Sequence, residues 1–341
     1  MRAEMTRRAF LRVAAGTGAA LITGRLAYGA PAAEAPEAFG CEANPTGDPI
    51  GGGKGYRRIY TSGDITVKSV EELVAALKAA KPGQVVYIPE GARIDLTETE
   101  TLAIPEGVTL AGSRGAGESV GALLVSKRKK GLMFSTAGDG VRLTGLRFEG
   151  AYAGAERVAI SSRFLSVAHY GCEVDNCEVY SFNLSGVGVS ANAMGTYIHH
   201  NDMHHIQLGG LGYAVSTNAS DVRIIANRFD HGRHFIASSG TPGAGYEAAY
   251  NLVGPNATSH HFDMHGGRDR GDSTDIAGDW MHIHHNTFLG KHRHVVIRGV
   301  PCQGAQVHHN WFSGPASEKV VSGGNTRVYR NVYGPEKTLE E

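Results

Sequence analysis

Four short segments in the second half of the chain, aligned on their apolar positions, bring titratable residues together. They are His234-Phe235-Ile236-Ala237-Ser238, His261-Phe262-Asp263-Met264-His265, His294-Val295-Val296-Ile297-Arg298 and Lys319-Val320-Val321-Ser322-Gly323. Successive side chains of an extended chain point to opposite faces. With Phe262 and Met264 inward, His261, Asp263 and His265 point out, as do His294, Arg298 and His234. The expected pattern is a column of His234, His261, His294 and Lys319 beside a second column of Ser238, His265 and Arg298, with Asp263 between them.

Imidazoles transfer protons near neutral pH, and a guanidinium grips a carboxylate through two parallel bonds. Together they suit removal of a proton α to a carboxylate, followed by protonation of a leaving oxygen. His265 is the expected base, Arg298 the carboxylate clamp, and His261 or His294 the acid, with Asp263 orienting an imidazole. His234 and Lys319 then bind along the strip, whose natural counterpart is an acidic sugar chain. The competing reading is an outward polar face of a solvated solenoid.

Such columns require stacked strands, and a second pattern supplies them. Asn176, Asn201, Asn227, Asn251, Asn286, Asn310 and Asn331 recur at steps of 25, 26, 24, 35, 24 and 21 residues, each followed two positions later by an apolar residue. Self-similarity at this period marks stacked supersecondary units. The expected fold is all-β, a single parallel β-helix in which the asparagines form a ladder of amides at one corner. Their role is structural.

Upstream, Ser69 begins an amphipathic helix over 69–80, with Glu72 completing a capping box and Lys81-Pro82-Gly83 ending it. The stretch SVEELVAALKAAKPGQVVYIPEGARIDL is similar to the N-terminal cap of the pectate-lyase-like superfamily of right-handed β-helices. That resemblance covers nearly all of residues 56–341. It implies a right-handed solenoid with an N-terminal capping helix, and activities that are mostly polysaccharide lysis or glycoside hydrolysis. The pectate lyase pattern Arg-x-Pro-x-x-Arg is not reproduced in Arg298-Gly299-Val300-Pro301-Cys302-Gln303-Gly304. The paired aspartates of polygalacturonase-type hydrolases are also not evident, so activity rests on the site itself.

Residues 1–32 carry Arg7-Arg8 before an apolar run from Val13 to Ile22 and the small-residue site Ala30-Pro31-Ala32. They resemble a twin-arginine export signal. The expectation is a periplasmic or secreted monomer, with an irregular leader over 33–55 and no membrane-spanning segment after cleavage. The 33 basic and 33 acidic residues balance, which gives no reason to invoke nucleic acid. The abundance of Gly, at 47, suits many tight turns. Of the four cysteines, Cys172 and Cys177 flank one expected turn and either bridge or stay reduced and buried.

Two further patterns concern metals. His199-His200, His284-His285 and His308-His309 each precede a ladder asparagine. The preferred reading is hydrogen bonding around the corner, and the alternative is a site for Zn²⁺ or another divalent ion. The 35-residue step contains Gly266 to Asp279, with Asp269, Asp272, Asp275 and Asp279. It reads as a solvated turn, with Ca²⁺ as the possible cofactor, or as a flap closing Arg268 and Arg270 over substrate. The leading functional expectation is a lyase on uronate-containing polysaccharide. A glycoside hydrolase and a non-catalytic glycan-binding solenoid are the alternatives.

Overall fold

The computed structural model describes residues 37–154, 161–206, 210–291, 293–317 and 319–340. The expected export signal over 1–32 and the start of the expected leader, 33–36, lie outside them. Ala38–Glu341 form one unit.

The chain winds as a right-handed parallel β-helix. Sheet A has 11 strands, from Ile65–Thr66 to Thr326–Tyr329. Sheet B has 11, from Arg93–Asp95 to Thr338–Glu340, and sheet C has 9, from Leu102–Ile104 to Val321–Ser322. A representative coil runs through Val222–Ile225 in A, Arg228–Asp230 in B and His234–Ser238 in C. Like residues stack from coil to coil: Ile198, Ile224, Ala248, Ile283 and Val307 pair in register along sheet A. Along sheet B the rings of Phe288, Phe312 and Tyr333 stack at 5.0 and 5.4 Å. No single coil buries its apolar face alone, so the core exists only through this stacking.

The corner between sheets A and B carries the asparagine ladder. Asn251 shows its logic: its Nδ2 donates to Ile224 O at 2.8 Å and to Asn286 Oδ1 at 2.9 Å. Its Oδ1 accepts from the backbone N–H and the Nδ2 of Asn227. The same bonds recur from Asn201 to Asn331. Each amide satisfies peptide groups that the corner would otherwise leave buried and unpaired.

The ladder has one asparagine fewer than the sequence rhythm implies. Asn176 stands one position early, with φ 52°, and Cys177 occupies the ladder position, donating its N–H to Asn201 Oδ1. The residue before each ladder asparagine is left-handed: His200, Ala226, Tyr250, His285, His309 and Arg330 have φ between 50° and 59°. Asn tolerates that conformation better than most residues, which is why Asn176 fits there.

Helix α1 (Val70–Ala79) starts at Ser69, whose Oγ accepts from Glu72 N. Glu72 reaches back to Lys68 N instead of the Ser69 N–H that a capping box uses. Leu73, Ala76 and Leu77 are buried in the core, where the helix meets the strands Val85–Tyr87 and Leu102–Ile104. The leader is irregular apart from one 3₁₀ turn, Cys41–Ala43, and it runs along the ladder corner. Gly40 N donates to His309 O, Gly51 N to Ala226 O and Gly53 N to Asn176 Oδ1. Gly52 has φ 68° and lies so close to His200 O that a Cβ would stand 2.4 Å from it. All four cysteines are free thiols, so Cys172 and Cys177 do not bridge.

Asn251→Ala strands Ile224 O and both Asn227 donors in the core. The expected loss is about 2–4 kcal/mol, read from urea unfolding by circular dichroism. Asn256→Ala, at an exposed site, should cost under about 1 kcal/mol.

Candidate active site on the outer face of sheet C

Sheet C strands in this region are short, and alternation holds only within them. Phe262–Met264 and Val295–Ile297 are three residues each. Phe262 and Met264 enter the core, as expected, and Asp263 lies on the opposite face, paired laterally with Ala237 and Val296. His261 and His294, just before these strands, turn inward, which corrects their expected outward placement. His261 lies between the rings of Phe235 and Phe288 at 5.6 and 6.0 Å, and His294 against Phe288 and Phe312 at 5.3 Å each. Their Nδ1 atoms are 2.7 Å apart. His261 is fully enclosed, and His294 is 2% exposed at the wall of a neighbouring cavity.

The expected columns are also offset by one residue at two places. Phe235 N and Ile236 N both donate to His261 O, and His294 N and Val295 N both donate to Val320 O. Two residues thus face one, as in a β-bulge. Phe235, not His234, therefore neighbours His261, and Val320, not Lys319, neighbours His294. His234 instead stands over His260, donating from Nδ1 to His260 O at 2.6 Å. Lys319 is exposed and, with Lys291, Arg293 and His294, lines a cavity of about 700 Å³.

What converges is a smaller group centred on Asp263. Its carboxylate is enclosed, with none of its side chain exposed. Arg298 meets it with two bonds, Nε to Oδ1 at 3.1 Å and Nη2 to Oδ2 at 2.7 Å. His265 Nε2 stands 3.2 Å and His234 Nε2 3.4 Å from Oδ2. The third guanidinium nitrogen, Nη1, donates to Asp269 at 3.0 Å. Arg298 is therefore already clamped on two protein carboxylates, leaving two of its five N–H donors for a ligand. About a third of its side chain and 28% of that of His265 remain exposed.

Burial alone would raise the Asp263 pKa, but the bond from His265 and the charge of Arg298 outweigh it and bring it to about 2. Burial likewise lowers His234, to about 4 despite the attraction of Asp263, so this imidazole is neutral at pH 7. The result is an ionised, enclosed carboxylate orienting a half-exposed imidazole. Such a dyad can take up a proton. Aligning the strands by their apolar positions does not reveal Asp269 or His260. The latter is half-buried in the combined field of Asp263, Arg298, Arg293 and Arg233.

The lateral row beside the dyad carries mostly small side chains. The residues in register with Asp263 on the outer face are Ala103, Ser135, Ser166, Gly188, Ser216, Ala237, Val296 and Ser322. Asp263 is the one charged group in that run.

The insertion beyond His265 is pinned. Helix α2 (Gly267–Arg270) ends at Gly271, and Arg270 donates to Ser239 O at 2.8 Å and Ile276 O at 3.0 Å and also bonds Gly240 O and Asp272. Arg270 is thus a staple within the loop instead of a substrate flap, while Arg268 is exposed. The four aspartates of the loop do not converge into a Ca²⁺ site among the described residues. Asp269 binds Arg298, Asp272 binds Arg270 and Thr274, and Asp279 receives Gly243 N and Gln303.

Among the described residues, two groups of metal-ligand type occur, both on the outer face of sheet A: Glu173, Asp175 and His199, and Glu247, His282 and His284. In the first, Arg142 and Arg58 already neutralise the carboxylates, and Tyr56 donates to Asp175 at 2.7 Å. The second arises from His-x-His spacing, whose period of two places His282 and His284 on one face. That spacing is legible in the sequence, although the adjacent His-His pairs point to the corner instead.

A search of protein-family models found no match to this chain, and no curated protein matches it. Among the described residues no helix is long and apolar enough to cross a membrane.

His200 and His234 are both held down to about 4, each first by burial. Both are enclosed, and in the unfolded chain each returns to about 6.5. The unfolded state therefore binds more protons below that value, so their contribution is complete above about pH 6.5 and is lost as pH falls towards 4. Each accounts for at most about 3 kcal/mol. Urea midpoints measured from pH 7 to 4 should fall steeply, and His234→Gln should flatten part of that slope.

Proposed function

We propose that this protein is an exported carbohydrate-active enzyme, a lyase that cleaves uronate-containing polysaccharide by β-elimination. The observation that carries this reading is the Asp263–His265 dyad beside Arg298, in a row of small residues and flanked by cationic side chains. The solenoid fold is compatible with carbohydrate-active enzymes, and the row of small residues runs across several coils, the direction along which an extended sugar chain would lie.

In this reading Asp263 fixes His265 through Nε2, which leaves Nδ1 to accept the proton α to the uronate carboxylate. The two remaining donors of Arg298 stabilise the carboxylate and the enolate charge that develops on it, while Arg293 holds the acidic chain from the rim. His260 takes the place of the enclosed His261 and His294 as donor to the leaving oxygen. Asp263 acts through His265 and Arg298 and is a positioning residue. Lys291 and Lys319 extend the cationic rim along the chain of an acidic substrate. The twin-arginine-like N-terminus supports passage of the folded protein out of the cytoplasm.

The test is incubation with a panel of alginate, pectate, glucuronan and glycosaminoglycans while following ultraviolet absorbance of the unsaturated product. Absorbance should grow with one of them, and His265→Ala should slow it by about 10²–10⁴-fold. Reducing ends without absorbance would mean hydrolysis, and binding without either product would mean a glycan-binding solenoid.

Arg293→Ala should raise KM with little change in kcat, because an exposed rim cation contributes to ground state and transition state alike. Initial rates over a range of substrate concentrations separate the two parameters.

A further inference from the structure

Two successive coils of sheet A bring three metal-type side chains to one spot, away from the dyad on sheet C, and a fourth, His308, abuts one of them from the next coil. Glu247 pairs laterally with His282, and His284 with His308. His284 Nε2 is 3.1 Å from Glu247 Oε1, and His282 Nε2 is 2.7 Å from His308 Nε2. The ligand atoms of Glu247, His282 and His284 all lie within 4.8 Å of one another. Donor atoms about 2.0–2.1 Å from a four-coordinate ion stand about 3.3 Å apart, so these separations bracket the required spacing.

We infer that Glu247, His282 and His284 form a binding site for a zinc-class divalent transition ion, with His308, in contact with His282, beside it. Imidazole and carboxylate together are donors that such ions favour, whereas Ca²⁺ takes oxygen. A second layer is already built. His284 Nδ1 lies 2.8 Å from His285 Nδ1, and His308 Nδ1 lies 2.6 Å from His309 Nδ1, so the remote nitrogen of each imidazole is held by its neighbour at the corner. Metal-ligating histidines are oriented in this way through the nitrogen that does not bind the ion, which holds here for His284 and, beside it, for His308. This gives the His-His pairs a common purpose at these two coils.

The equivalent place lower on the same sheet supplies an internal comparison. There His199 Nε2 meets Glu173 at 2.8 Å and His199 Nδ1 meets His200 Nδ1 at 2.7 Å, the same arrangement. But Arg142 and Arg58 supply the cationic charge. At the upper site the one nearby guanidinium among the described residues is Arg223, whose Nε is 3.5 Å from Glu247 Oε2 on the side away from the histidine coils. Arg142 below and Arg223 above hold the same place, one coil before each glutamate, so what distinguishes the upper site is His282 standing where Tyr197 stands below. Glu247 and His282 are half-buried, so the ion is reachable from solvent. The inference does not rest on the lyase reading.

The test uses the full chain without a histidine tag, stripped with chelator and titrated calorimetrically with Zn²⁺. One site per chain is expected, with a Zn²⁺-dependent rise in melting temperature. Co²⁺ in its place should give the intense visible bands of a four-coordinate site. His282→Ala and Glu247→Gln should each weaken Zn²⁺ binding by about tenfold or more, and His199→Ala should leave it unchanged. Circular dichroism identifies which variants fold, and Glu247→Gln keeps the test open if a histidine variant does not. Absence of binding, binding unchanged in folded Glu247→Gln and His282→Ala, or loss confined to His199→Ala would overturn the assignment.

Discussion

The corner amides govern the rest of this molecule. A parallel β-helix turns sharply between sheets A and B, and each turn leaves peptide groups in the interior with no strand partner. Asn201, Asn227, Asn251, Asn286, Asn310 and Asn331 satisfy them, each bonding its own coil's neighbours above and below. The geometry forces the preceding residue into the left-handed region, at a cost of about 1–2 kcal/mol for a side chain other than Gly. Because that residue is fixed, so is the face on which every side chain of the adjoining strands emerges.

The faces then differ in chemistry. On sheet A, outward positions hold Glu173, Tyr197, Arg223, Glu247 and His282 in one lateral column and Asp175, His199, His284 and His308 in the next. Stacking charged and aromatic side chains on neighbouring coils, interrupted in the second column by Ile225 and Ala249, brings ligands and counter-ions into contact without any long loop. On sheet C, the lateral row of Asp263 carries Ala, Ser, Gly and Val around that single carboxylate. An enclosed carboxylate is tolerable only when paired, and Arg298 with His265 provides that pairing. The pinned loop at Arg270 and Asp269 then holds Arg298 from its far side.

Much of the architecture is legible in the amino-acid sequence. The recurrence of Asn with flanking apolar residues is a local signal repeated at each coil, so it reveals the solenoid, and Ser69 marks the start of α1. The site is only partly legible. Asp263, His265 and Arg298 do meet, because they lie in or directly after strands whose lateral register carries no bulge between them. His234 and Lys319 fall one position away from their expected neighbours because Phe235 and Val295 sit at bulges, and nothing in the local sequence marks where an extra residue is absorbed. His261 and His294 depart from expectation for another reason: they precede strands only three residues long, where alternation does not extend. Asn176 follows the ladder spacing to within one residue, yet occupies the left-handed position beside it.

By itself the sequence determined the period, the apolar face of each strand and hence the architecture, since those follow from residue types a few positions apart. Which side chains become neighbours was decided only by the tertiary structure. A one-residue shift in a parallel pair sends a side chain to a different partner or the opposite face, and that shift depends on hydrogen bonds between coils more than twenty residues apart. The convergence of Asp263 with Asp269, and of Glu247 with His282, His284 and His308, exists only once those bonds set the register.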